Sequence, residues 1–157
     1  LFTDIVDSTD KILTMGDQAW RKMLDAHDAI AHQTVFSYRG RIVKNTGDGI
    51  LAVFDGPVKA LQCAQALISA LQEIGLPIRA GLHVGEVVKR GEDITGIAVN
   101  IAARVMDRAQ SGQTLLTKTL KDLTGGSNIE FESMGKFELK GLPDEFELFT
   151  PLNVVHP

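Results

Sequence analysis

RIVKNTGDGILAVF, residues 41–54, sets two β-rich runs on either side of Gly47-Asp48-Gly49. Asp-Gly between such runs is the strongest short-range hairpin signal a sequence carries, because the turn needs residues that tolerate positive φ. Outward from this hairpin the chain alternates element types. Before it, LFTDIV (residues 1–6) reads as a buried strand, and Asp7-Ser8-Thr9 as a helix start. Apolar residues at helical spacing then run from Gln18 to about Tyr38, with His27 on the stripe, and stop at Gly40. After it, Pro57 to Ile74 is a helix, residues 78–88 (IRAGLHVGEVV) a strand, 96–109 a helix, 113–117 a strand and 118–123 a short helix. Residues 131–139 and 146–150 are strands joined by a turn at Gly141-Leu142-Pro143-Asp144. The order predicts an α+β fold: a ferredoxin-like βαββαβ core with additional C-terminal strands, its helices packed on one face of the sheet.

Bulk composition narrows the options. With 157 residues, 44% of them hydrophobic, one domain spanning residues 1–157 is expected. The chain has 16 basic against 20 acidic residues and no basic run that would track a nucleic-acid backbone. Cys63, the single cysteine, lies in an apolar-periodic stretch, so no intrachain disulfide can form; a reducing, cytoplasmic setting is expected. No apolar run approaches the roughly 20 residues that span a bilayer. Because the chain opens without methionine on a strand, it is expected to be part of a longer parent, through which any membrane contact would come.

Three places stand out chemically. Asp4 sits inside an apolar strand, where a buried charge requires compensation. Taken singly, Asp4 reads as a strand end that caps the next helix rather than as a metal ligand, and Asp48 as ordinary turn chemistry. If the hairpin pairs beside the first strand, however, both carboxylates reach one sheet edge as a hard-oxygen pair suited to Mg²⁺ on a triphosphate. The backbone amides of Ile5 to Thr9, Ser8 and Thr9 among them, would face phosphate oxygens at the following helix start. Further on, Asn100 and Arg104 lie four residues apart on one helix face, where they are either an exposed polar pair or a ribose contact and a phosphate-stabilising cation. His83, His27 and Trp20 read as packed residues.

FTDIVDST, VKNTGDGILAVF, DITGIAVNIAAR and the late ELKG, in this order, resemble the class III adenylyl and guanylyl cyclases over nearly the whole chain. The short Val87–Asp93 stretch is similar to that of compact bacterial members. The resemblance implies that Asp4 and Asp48 hold two Mg²⁺ or Mn²⁺ ions with help from the Ile5 carbonyl, and that Arg104 stabilises the α-phosphate in transfer. It also implies that Asn100 orients the ribose and that Lys140 holds the terminal phosphates. Lys44 and Asp93 look like the family's adenine-selecting pair, implying ATP as substrate, cyclic AMP and pyrophosphate as products, and a homodimer with sites at its interface. Alternatives are a cyclase of relaxed base choice that accepts GTP, and a regulatory domain that binds nucleotide without turnover. A palm-type polymerase also pairs carboxylates on such a sheet, but this chain lacks a basic template surface.

Overall fold

Four strands open the sheet: β1 (Phe2–Ile5), β3 (Ile50–Val53) and β4 (Ile78–Leu82), whose residues are mostly buried and apolar, and the more exposed edge strand β2 (Arg41–Asn45). The computed structural model describes residues 1–153; the last four residues of the expected domain lie outside the described residues. β7 (Thr114–Thr117), β8 (Phe131–Glu138) and β9 (Glu145–Pro151) extend the sheet to the order β2-β3-β1-β4-β7-β9-β8. β1 runs antiparallel to both β3 and β4, and β4 parallel to β7. The first four strands have the ferredoxin-like arrangement, and β7 to β9 are the additional C-terminal strands.

Helices α1 (Ser8–Met15), α2 (Asp17–Ser37) and α3 (Pro57–Glu73) join β1 to β2 and β3 to β4. Gly16, at φ 85°, separates α1 from α2, so the polar-rich segment after β1 is a helix of its own rather than a mere start. α3 opens on Pro57, whose fixed φ suits a first helical turn, and buries Leu61, Leu67 and Leu71 completely. Each such leucine contributes about 2 kcal/mol of burial, which anchors α3 far more firmly than helix propensity does. With α2 it covers Ile5, Ile50, Ala52, Ile78, Ala80 and Leu82.

Two expectations need correction. Helices were expected on one face of the sheet; α4 (Ile97–Asp107) packs on the other. There Ala102 meets Phe2, Leu51 and Ile94, while Ile101 and Val105 meet Leu115 and Leu148. The cause is that neighbouring strand residues, such as Ile50 with Leu51 and Leu115 with Leu116, are both apolar, so both faces need cover. Gly81 permits it, since a Cβ there would overlap the Met106 backbone of α4. The expected strand over residues 78–88 is also two pieces. β4 ends at Leu82, and β5 (Val88–Arg90) forms a separate two-stranded ribbon with β6 (Asp93–Thr95). Between them the chain leaves the sheet and runs beside α4, where Gly85 passes so near that a Cβ would lie 2.7 Å from that of Ala98. α5 (Lys118–Asp122) follows β7.

Candidate active site

Strand alternation puts Phe2 and Asp4 on the α4 side of β1 and Ile5 on the α3 side. Asp4 is register partner to Arg79 of β4, whose Nη2 donates to Asp4 Oδ2 at 3.2 Å; the two side chains are 29% and 27% exposed. This is the compensation that a carboxylate in an apolar strand requires.

Asp48 arrives from the β2–β3 turn. The Ile5 N–H donates to the Asp48 carbonyl at 2.9 Å, and Thr46 N–H to the Gly49 carbonyl at 2.9 Å. Gly49 is the residue that allows the approach, because a Cβ there would overlap the Thr3 carbonyl. Ser8, first residue of α1, donates its hydroxyl across to Asp48 Oδ2 at 2.6 Å. A serine at a helix start ordinarily caps its own helix; here the preceding Asp7 adopts φ 55° with no side-chain cap, and the Ser8 hydroxyl serves the hairpin instead. Thr9 is exposed.

Lys44 owes its position to a β-bulge. Register shifts between Ile42, opposite Ala52, and Lys44, opposite Leu51, so Lys44 lies on the α4 face with Val43, although Ile42 faces α2 and α3. Its ammonium reaches Asp93 Oδ2 at 3.1 Å, the other oxygen accepting from Ile94 N–H at 2.7 Å. That N–H and then Lys44 hold the Asp93 carboxyl below the ordinary range. On α4, Arg104 donates Nη1 to Asp107 Oδ2 at 3.0 Å, and Asn100 is exposed one turn earlier. Lys140, also exposed, lines an open cleft of about 480 Å³ with Arg108, Glu138 and Leu142. Among the described residues, neither Asn100 nor Lys140 hydrogen-bonds by its side chain to another of these site residues.

The structure thus ties Ile5 and Ser8 to Asp48 by hydrogen bonds, pairs the carboxylate of Asp4, the neighbour of Ile5 on β1, with Arg79, and brings Lys44 to Asp93. Two participants were not anticipated. Arg79 is the one charged residue of IRAGL, and its parity with Gly81 was the available signal; Asp107 had none. Among the described residues, no three His, Cys, Asp or Glu side chains gather to hold a metal ion. Two carboxylates without a third suit Mg²⁺ or Mn²⁺, which such sites hold through one or two carboxylates completed by substrate phosphates rather than in an all-protein cage. An apolar cavity of about 230 Å³, lined by Phe54, Pro57, Leu82, His83 and Val87 among others, contains none of the expected residues and offers a triphosphate little. His83 is bonded to Thr117 Oγ1 at 2.7 Å, with burial lowering its pKa, and His27 and Trp20 are buried, as expected of packed residues. Burial pushes the Cys63 thiol up to about 12, which leaves it inert. Among the described residues no helix is long and apolar enough to cross a membrane.

Similarities to other proteins agree on the class. The fold matches the adenylyl cyclase CyaB from P. aeruginosa at TM-score 0.85, with 19% identity over 97% of this chain and 91% of that one. It matches the guanylate cyclase domain of RhGC from Catenaria anguillulae, solved with GTP, at TM-score 0.83, with 17% identity over 98% and 94%. A putative adenylate cyclase 3 of Rhizobium meliloti (strain 1021) is 29% identical over 122 residues, which is 72% of this chain and 21% of the relative. The chain spans between 19% and 35% of the length of the curated relatives it matches. Residues 1–151 match the family model described as the adenylate and guanylate cyclase catalytic domain, and the chain belongs to that family.

Proposed function

We propose that this chain is an adenylyl cyclase, converting ATP to 3′,5′-cyclic AMP and pyrophosphate at two equivalent sites of a homodimer. The observation that carries the base choice is the Lys44–Asp93 contact at 3.1 Å, which places a cationic donor beside an ionised acceptor. Adenine presents the matching pattern: N1 accepts and the N6 amino group donates. Guanine reverses it at O6 and N1.

Asp4, Asp48 and the Ile5 carbonyl would hold two Mg²⁺ or Mn²⁺ ions, which when bound acidify the ribose 3′-hydroxyl and neutralise the phosphates. The amides at Ser8 and Thr9, at the positive end of α1, bind phosphate oxygens. Arg79, already poised beside Asp4, adds a cation on the same side. Arg104 stabilises charge on the α-phosphate as the 3′-oxygen bonds to phosphorus and pyrophosphate leaves, and Asn100 orients the ribose. Lys140 holds the terminal phosphates. Each site draws Asp4 and Asp48 from one chain and Lys44, Asp93, Asn100, Arg104 and Lys140 from its two-fold mate. Residues 1–157 act as a single catalytic domain in the cytoplasm, any membrane contact belonging to a longer parent.

The test is to incubate the purified chain with Mn²⁺ and either ATP or GTP and to separate cyclic products by chromatography. Cyclic AMP is expected, with kcat/KM for ATP at least about tenfold that for GTP. Predominant cyclic GMP would overturn the base assignment. Nucleotide binding by a dimer that forms neither product would mark a regulatory domain.

A further inference from the structure

Asp107 ends α4 with an acidic side chain where a helix least favours one, because the macrodipole already places partial negative charge at the C-terminus. Two arginines answer it. Arg104, one turn back on α4, donates Nη1 to Asp107 Oδ2 at 3.0 Å; Arg79, from β4, donates Nη1 to the Asp107 backbone carbonyl at 3.1 Å. That carbonyl is one of those a helix end leaves without an intrahelical partner. Through Nη2, Arg79 also holds Asp4 at 3.2 Å, so one run of contacts leads from Asp4 through Arg79 and Asp107 to Arg104.

Stability does not account for Asp107. The Arg104 and Asp107 side chains are 41% and 43% exposed, and a solvated pair of this spacing adds little to a fold. A residue that goes against its local element without stabilising the whole points to the site beside it. Arg104 needs what Asp107 supplies. An arginine reaches its target through several rotatable bonds, and its worth to a reaction depends on aim. The bond to Asp107 occupies Nη1 in a planar fork of five donors, so the fork is oriented while other donors remain for a phosphoryl oxygen.

We propose that Asp107 is a positioning residue: its carboxylate aims the Arg104 guanidinium at the α-phosphate, and Arg79, gripping the carbonyl of the same residue, fixes that support against β4. The proposal rests on the role assigned to Arg104 above.

Asp107→Asn keeps the size and removes the charge. Its kcat should fall about tenfold while KM for the nucleotide stays within about twofold, because aim matters to the transition state more than to binding. Asp107→Glu should recover most of the loss. A double-mutant cycle separates positioning from a general structural role: in an Arg104→Lys background, where no fork remains to be aimed, adding Asp107→Asn should cost less than about twofold. An unchanged or raised kcat in Asp107→Asn, or an equal loss in both backgrounds, overturns the proposal, and a misfolded variant gives the equal loss. Arg104→Ala distinguishes the underlying assignment: turnover retained there removes the role of Arg104 itself, whereas turnover lost there with Asp107→Asn unaffected removes only the role of Asp107.

Discussion

The edge that carries Asp4 and Asp48 and the surface that carries Lys44, Asp93, Asn100, Arg104 and Lys140 are built in opposite ways. At the edge, backbone holds function: Ile5 N–H grips the Asp48 carbonyl, Gly49 lies against Thr3, and Ser8 reaches Asp48 across 40 positions of sequence. Both carboxylates are partly buried. On the other surface, long side chains reach out of a bulged strand, a ribbon, a helix and a turn, and are steadied by solvated ion pairs or left exposed. Such pairs stabilise little, whatever aim they give a side chain. The first region is held by backbone contacts within one chain, and the second rests on side-chain pairs, of which Arg104–Asp107 is the one proposed to aim its arginine. In the proposed dimer each site is assembled from one region of each kind, contributed by two chains.

The largest effect expected concerns this division of labour. Asp4→Ala and Arg104→Ala proteins, purified separately, should each lose at least about a thousandfold in turnover, since each homodimer carries its defect in both sites. Mixed in equal amounts they should regain about a quarter of wild-type sites, because a heterodimer gathers both lesions into one site and leaves its mate intact. No recovery, with subunit exchange shown by fluorescence transfer, would place every catalytic residue within one chain and break the comparison.

A smaller effect sharpens the solvated region. Lys44→Glu with Asp93→Cys reverses the donor and acceptor pattern and should shift the ratio of kcat/KM for ATP over GTP by about tenfold to a hundredfold toward GTP. A constant ratio would mean that the pair does not touch the base.

The smallest effect probes the preorganised edge. Ser8→Ala removes the 2.6 Å hydrogen bond that orients the Asp48 carboxylate and should raise the Mn²⁺ concentration for half-saturation roughly threefold, measured by direct Mn²⁺ titration with paramagnetic resonance in the presence of a non-cyclisable nucleotide. Ser8→Thr should bind as wild type. Equal metal binding by all three would show that the hydroxyl merely tethers α1.

Most elements were legible in the chain because their signals are local. Helical spacing marked α2, α3 and α4, and Gly-Asp-Gly marked the hairpin, since turn geometry depends on the turn residues alone. The expectation that failed for residues 78–88 failed over packing. IRAGLHVGEVV is uniformly strand-like, and only the close passage of Gly85 by Ala98 of α4 shows that the chain has left the sheet. The second helical layer was missed for a related reason: apolar neighbours such as Ile50 and Leu51 imply two covered faces, but which helix covers which is a question of space.

By itself the sequence determined the residue chemistry, namely two carboxylates in strand and turn, a lysine and an aspartate far apart in the chain, an asparagine and an arginine one helical turn apart, and the ferredoxin-like order of elements. Only the tertiary structure decided which of these meet. The bulge that turns Lys44 onto the α4 face, the Arg79 partner of Asp4, the Ser8 hydroxyl on Asp48 and the Asp107 support of Arg104 all depend on register, bulge or rotamer. Those are properties of strand pairing and side-chain packing over separations of up to 75 residues, and no local pattern encodes them.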